Sequence, residues 1–83
     1  MVAKYDPLRD YLAGVSRRVR RVTMSFAAIA ALVGPLPRSA WRYRAWWAND
    51  NKVEARAWLA AGWRVESVSR HAEQVVFLRR DDS

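Results

Sequence analysis

Residues 38–49 read RSAWRYRAWWAN: three Trp, one Tyr and three Arg in twelve positions, with no acid. So much ring volume must be packed on at least one side, and a short chain has to supply the surface that covers it. Ser39 stands where a helix N-cap would, and the spacing predicts a helix over 38–49. At about 100° per residue, Ala40, Tyr43 and Trp47 share one face, while Arg38, Arg42, Ala45 and Asn49 line the opposite one. Trp46 borders that polar strip. The pattern fits a recognition helix, anchored on one side and presenting two guanidiniums, an amide and an indole on the other. It equally fits a core helix with a solvated basic side. Asn49 has a third use, as the C-terminal cap of its own helix.

The charge distribution says more than its sum. The chain has 15 bases against 8 acids, a net charge of +7. The flanks balance: Lys4 and Arg9 stand against Asp6 and Asp10, and residues 49–83 carry six bases and six acids. The excess therefore falls on Arg17, Arg18, Arg20, Arg21, Arg38, Arg42 and Arg44, and no acid lies between Asp10 and Asp50. A single-signed block attracts a polyanion, most simply nucleic acid. Arg in place of Lys is what GC-rich coding yields, so the missing acids are the stronger signal.

Along the chain, Asp6-Pro7 opens a first helix with Leu8, Tyr11 and Leu12 on one face, and Gly14 ends it. Val22 and Met24 alternate with Arg21 and Thr23, as in a short strand. The four Arg at 17, 18, 20 and 21 form either a solvated loop or a phosphate clamp at the strand entrance. Ser25 caps a helix over 26–33 with Phe26, Ile29, Leu32 and Val33 inward, and Gly34-Pro35 stops it. Together with 38–49 this pair predicts a helix-turn-helix. Residues 54–61 form a further helix with Ala55, Trp58 and Leu59 inward. Residues 63–68 and 75–78 read as a hairpin with Trp63, Val65, Val75 and Phe77 inward. The expected fold is α+β and winged-helix-like. It has three to four short helices and a small antiparallel sheet, made of one strand after the first helix plus a C-terminal β-hairpin. One domain spans 1–83, with 79–83 as a frayed tail.

Several segments together carry a resemblance. They are Lys4-Tyr5-Asp6-Pro7-Leu8 with Tyr11-Leu12, Leu36-Pro37-Arg38-Ser39-Ala40, and Tyr43-Arg44-Ala45-Trp46-Trp47-Ala48-Asn49-Asp50. Ala57-Trp58-Leu59-Ala60-Ala61-Gly62-Trp63 and Val75-Val76-Phe77 complete the set. The chain resembles a widespread family of small prokaryotic domains of unknown function over nearly its whole length. The resemblance implies a fold unit and no activity. This chain departs from the family pattern after Asp50, where it reads Asn51-Lys52-Val53-Glu54-Ala55, and in the Arg run at 17–21.

Little here suits catalysis. There is no Cys and no Gly-rich phosphate loop, and the one His, His71, falls in the hairpin loop. Asp50 with Glu54 is better explained as a solvated helix start than as a metal site. The reading is a non-enzymatic, cytoplasmic protein with no cofactor, no metal and no membrane span. Its expected role is binding double-stranded DNA, as a regulator or an architectural protein, alone or as a homodimer. The expected contacts are Arg17, Arg18, Arg20, Arg21, Arg38, Arg42, Arg44, Trp46, Asn49 and Arg70, the last at the hairpin tip. Two other roles use the same residues. One is a protein-interaction module of a mobile element or defence system; the other binds single-stranded nucleic acid or RNA by stacking on Trp46 or Trp41.

Overall fold

Regular structure begins where the Asp-Pro pair places it. In a computed structural model that describes residues 3–80, helix α1 spans Asp6–Ala13. Asp6 Oδ2 accepts a hydrogen bond from the Ala3 backbone N–H at 3.0 Å and so closes the turn before the helix. Leu8 and Leu12 face the core, whereas Tyr11, expected beside them, is 48% exposed. Strand β1 follows as Arg21–Ser25, then helix α2 as Phe26–Val33. Ser25 Oγ accepts from Ala28 N at 2.9 Å, which satisfies one of the N–H groups a helix start leaves open. Gly34, at φ 88°, turns the chain out of α2 in a conformation that side-chain-bearing residues rarely adopt.

The long helix expected over 38–49 does not form. Helix α3 covers only Arg38–Arg42, Tyr43 is extended at φ −122° and ψ 122°, and a separate 3-10 helix covers Arg44–Trp47. The reason lies in Trp47. A continuous helix would keep Trp47 about 10 Å along the axis from Ala40 and commit the Ala40 carbonyl to the backbone. Extending Tyr43 lets the indole turn into the core, where Trp47 Nε1 donates to the Ala40 carbonyl at 2.9 Å. Tyr43, expected on the buried face, is thereby left 61% exposed. With α3 five residues long, the helix-turn-helix with a recognition helix in second place is absent.

Helix α4 spans Val53–Ala60, and the chain closes with strands β2, Trp63–Ser69, and β3, Gln74–Arg79. The α+β class, the four helices and the sheet of one early strand plus a C-terminal hairpin match expectation. The sheet is antiparallel in the order β1-β3-β2. The frayed tail is corrected in part: Arg79 belongs to β3, and Arg80 N donates to the Gly62 carbonyl at 2.8 Å. Residues 81–83 lie outside the described residues.

Strand alternation puts Met24, Val75, Phe77, Trp63, Val65 and Val68 on the inner face, under the helices. Packing there is dominated by rings. Trp46 meets Trp47 edge-on at 4.6 Å, Trp47 stacks on Phe26 at 5.2 Å and on Trp58 at 5.9 Å, and Trp58 reaches Phe77 at 5.8 Å. Tyr5 lies against Trp46 at 6.0 Å, and burial, then the Glu54 carboxylate, push its phenol pKa above the ordinary 10.0.

Asn49 joins these parts. Its Oδ1 accepts from Val65 N at 2.8 Å and from Trp58 Nε1 at 3.0 Å, and its Nδ2 donates to the Val65 carbonyl at 2.9 Å. The carboxamide thus pairs with the outer edge of β2 as a neighbouring strand's peptide would. Replacing Asn49 with Ala strands two backbone groups and an indole N–H. The expected cost is about 2–3 kcal/mol, or a fall in Tm of roughly 10 °C or more. Thermal unfolding followed by circular dichroism checks this, and a fall under about 2 °C contradicts it.

Candidate polyanion-binding surface

The loop between α1 and β1 carries Arg17, Arg18 and Arg20, and it is held in place. Arg79 extends from β3 with its guanidinium 4.3 Å from the centre of the Trp63 ring. From there Nη2 donates to the Ser16 carbonyl at 2.9 Å and the Val15 carbonyl at 3.4 Å, and Nε donates to the Val19 carbonyl at 3.0 Å. The Arg79 backbone N–H donates to the Arg20 carbonyl at 2.8 Å. A planar fork of five donors is suited to several carbonyls at once, and its face stacks on the indole. Trp63 itself is fixed by an Nε1–H bond to the Leu12 carbonyl at 3.0 Å. Arg79 was not among the residues expected at the site. Its signal was present in the sequence: it continues the inward alternation of Val75 and Phe77, where a charged group needs partners.

The acid-free block does not gather into one patch. Arg17, Arg18 and Arg20 precede β1, and Arg21 opens it, all at the sheet end where β2 starts and β3 finishes. Arg21 is paired with Glu66 of β2 at 3.1 Å, with its side chain still 60% exposed. Arg38 and Arg42 lie on α3, whose C-terminal carbonyl meets the β2–β3 turn: Arg70 Nη1 donates to the Arg42 carbonyl at 2.7 Å. The two groups are therefore separated by the length of β1, four steps of about 3.3 Å. Arg44 sits beside the middle of β2, lining a cleft with Ala48, Glu66 and Ser67. Arg17, Arg18, Arg38, Arg42 and Arg44 are exposed and pair with no carboxylate among the described residues.

Three of the expected contact residues have structural work. Asn49 commits its Oδ1 and one Nδ2 hydrogen to Val65 and Trp58, and it does not cap its own helix. Trp46 is only partly exposed, wedged between Tyr5 and Trp47. Arg70 tethers the hairpin turn to α3. Lys4, not foreseen, does a similar task with Nζ bonds to the Val33 carbonyl at 3.1 Å and the Pro35 carbonyl at 3.2 Å, closing the end of α2.

Other surfaces offer less. A cleft of about 440 Å³ between the start of α1 and α4 is lined by Tyr5, Val53, Ala57 and Ala60, with Arg9, Arg56 and Asp6 among its charged groups. Arg9 is tied to Asp6 at 3.3 Å and to Asp10 at 3.1 Å. Among the described residues no group of three or more His, Cys, Asp or Glu could hold a metal ion, and no helix is long and apolar enough to cross a membrane. Asp50 does not form the acidic pair with Glu54: its Oδ1 accepts from Lys52 N at 3.0 Å at the head of α4, while Glu54 is buried near Tyr5.

If Arg79 orders the Arg loop, then Arg79→Lys, which keeps the charge and loses the fork, frees residues 15–20 without unfolding the sheet. Trypsin cleavage after Arg17 and Arg18 is expected to quicken by about tenfold, matching about 1.4 kcal/mol of lost local protection. An unchanged cleavage rate in a folded variant removes that role.

Comparison with known proteins gives a family and no activity. No curated protein and no solved structure matches the chain significantly. A family model described as a domain of unknown function, DUF7662, matches residues 5–81. That span takes in the aromatic core, the Asn49 lock and the whole sheet, and the chain belongs to this family of domains of unknown function.

Proposed function

We propose that the chain is a small DNA-binding protein that works mainly through the phosphate backbone of duplex DNA. The observation that supports this best is the stretch from Arg17 to Arg44. It contains no acid, and five of its guanidiniums are exposed and pair with no carboxylate among the described residues. Exposed cations of one sign raise the local concentration of a polyanion and release its counterions on contact. The pinning of the 15–19 loop by Arg79 adds to this, because a loop ordered in advance loses less entropy on binding.

The mode differs from a helix laid in a groove. The sheet of one early strand plus a C-terminal hairpin is in keeping with a winged-helix-like reading, but α3 is one turn long and Asn49 is engaged within the fold. Direct base reading therefore has few side chains to work with, and affinity would come from Arg–phosphate contacts. Stacking of single-stranded bases is less well supported. Trp47, Trp58 and Trp63 are buried, and Trp41 and Trp46 pack on Phe26 and Trp47.

Anisotropy titration of a labelled random duplex tests the proposal. With about four guanidiniums on phosphates at one contact, log K is expected to fall against log salt with a slope of about −3.6. Binding weaker than about 10 μM at roughly 50 mM salt would count decisively against it.

A further inference from the structure

We infer that the DNA backbone is gripped at one end of the sheet by Arg21 and Arg64 on its open face, together with Arg17 and Arg18 on the loop at that end. This rests on the DNA-binding reading above and assigns its contact surface. The helices cover only the inner face of the sheet. On the outer face, register places Arg21 opposite Leu78 and Leu78 opposite Arg64, so the two Arg stand in one row across three strands. With strands about 4.8 Å apart, their Cα atoms are about 10 Å apart, and long side chains on the same face can each take a phosphate of one strand. The next row is Thr23, Val76 and Ser67, which adds two hydroxyl donors.

Arg17 and Arg18 stand at the same end of the sheet, on the loop that leads into Arg21 and that Arg79 pins from the inner face. Arg64 is exposed and pairs with no carboxylate among the described residues. Among the described residues, the carboxylate paired within the patch is Glu66. A β-bulge between Val65 and Ser67 leaves Glu66 without a cross-strand partner, and the Glu66 oxygens lie 3.1 and 3.3 Å from Arg21 Nη2. Glu66 thus screens Arg21 and opposes an approaching phosphate.

The composition of this face favours a phosphodiester backbone over a protein partner. Its apolar side chains, Val76 and Leu78, are already partly buried, and the face carries no aromatic anchor of the kind that dominates protein interfaces. The same lack of rings leaves single-stranded bases nothing to stack on.

The experiment compares the 83-residue chain with three variants by duplex titration over a range of salt, with folding of each checked by circular dichroism. Arg64→Ala is expected to weaken binding about fivefold and to reduce the magnitude of the salt slope by about 0.9. Glu66→Gln, which keeps the shape and removes the charge, is expected to tighten binding about fivefold; a merely structural role for Glu66 would not do that. The Arg38→Ala/Arg42→Ala double variant removes two charges from the other end of β1; it is expected to weaken binding less than Arg64→Ala alone and to change the salt slope by less than Arg64→Ala does. The opposite pattern overturns the assignment and leaves the DNA-binding reading standing: the double variant loses binding while Arg64→Ala and Glu66→Gln match wild type. Wild type that binds no duplex overturns both. Poly-glutamate binding as tightly as duplex, with the same response to Glu66→Gln, replaces the phosphodiester with an acidic protein.

Discussion

The fold depends on one carboxamide. Asn49 follows the 3-10 helix, yet its hydrogen bonds go to the edge of β2 and to the indole of α4. An edge strand with open N–H and C=O groups invites pairing with other chains, and a buried indole N–H needs an acceptor. One side chain meets both needs at Val65 and Trp58. No other residue type of similar size offers a donor and an acceptor in one plane at this reach: Asp lacks the donor, and Gln is a methylene longer. The short segment 44–49 therefore serves as a cover for the sheet edge, which is why it is bent away from α3 and does not continue it.

The aromatic rings follow from the same constraint. A chain of this length has little core to work with, and each Trp removes much apolar area for one ordered residue. Trp47 and Trp58 stack near Asn49, Phe26 joins them from α2, and Phe77 joins them from the sheet. Each indole N–H of the buried Trp has a named acceptor: Ala40, Asn49 and Leu12. The residues that make the sequence distinctive, Trp-Trp-Ala-Asn-Asp, are spent on packing, edge pairing and the Asp50 turn into α4. Residues committed in this way fix the architecture and leave the surface to meet a ligand.

Much of the architecture was legible because period and punctuation agree. Ser25 before Phe26, Gly34 after Val33, and the alternation at Val22–Met24 and Val75–Phe77 place their elements to within a residue. What misled was the 3.6-residue period across 38–49. The spacing of Ala40 and Trp47 is helical, and both are buried, but they meet through a side-chain hydrogen bond across a break. Local periodicity cannot distinguish two residues on one helical face from two residues folded onto each other. The candidate surface was legible by charge and illegible by grouping. Strand register decides that Arg21 and Arg64, 43 positions apart, share a row, while Arg21 and Arg38 do not.

Net charge also overstates what a ligand can meet. Lys4, Arg70 and Arg79 close backbone carbonyls at the end of α2, the end of α3 and the α1–β1 loop. Arg9, Arg21 and Lys52 stand beside carboxylates. A guanidinium bound to a carbonyl keeps its full charge and contributes to the field, but its position is set by the fold. Only the exposed groups can shift to follow a phosphate. Arg79 separates the two roles most clearly, because it holds the loop while Arg17 and Arg18 on that loop remain exposed. Long-range attraction therefore scales with the whole excess of bases, whereas the number of counterions released on contact scales with the smaller exposed set. A protein built this way would draw a polyanion in by its total charge and hold it by only a few contacts.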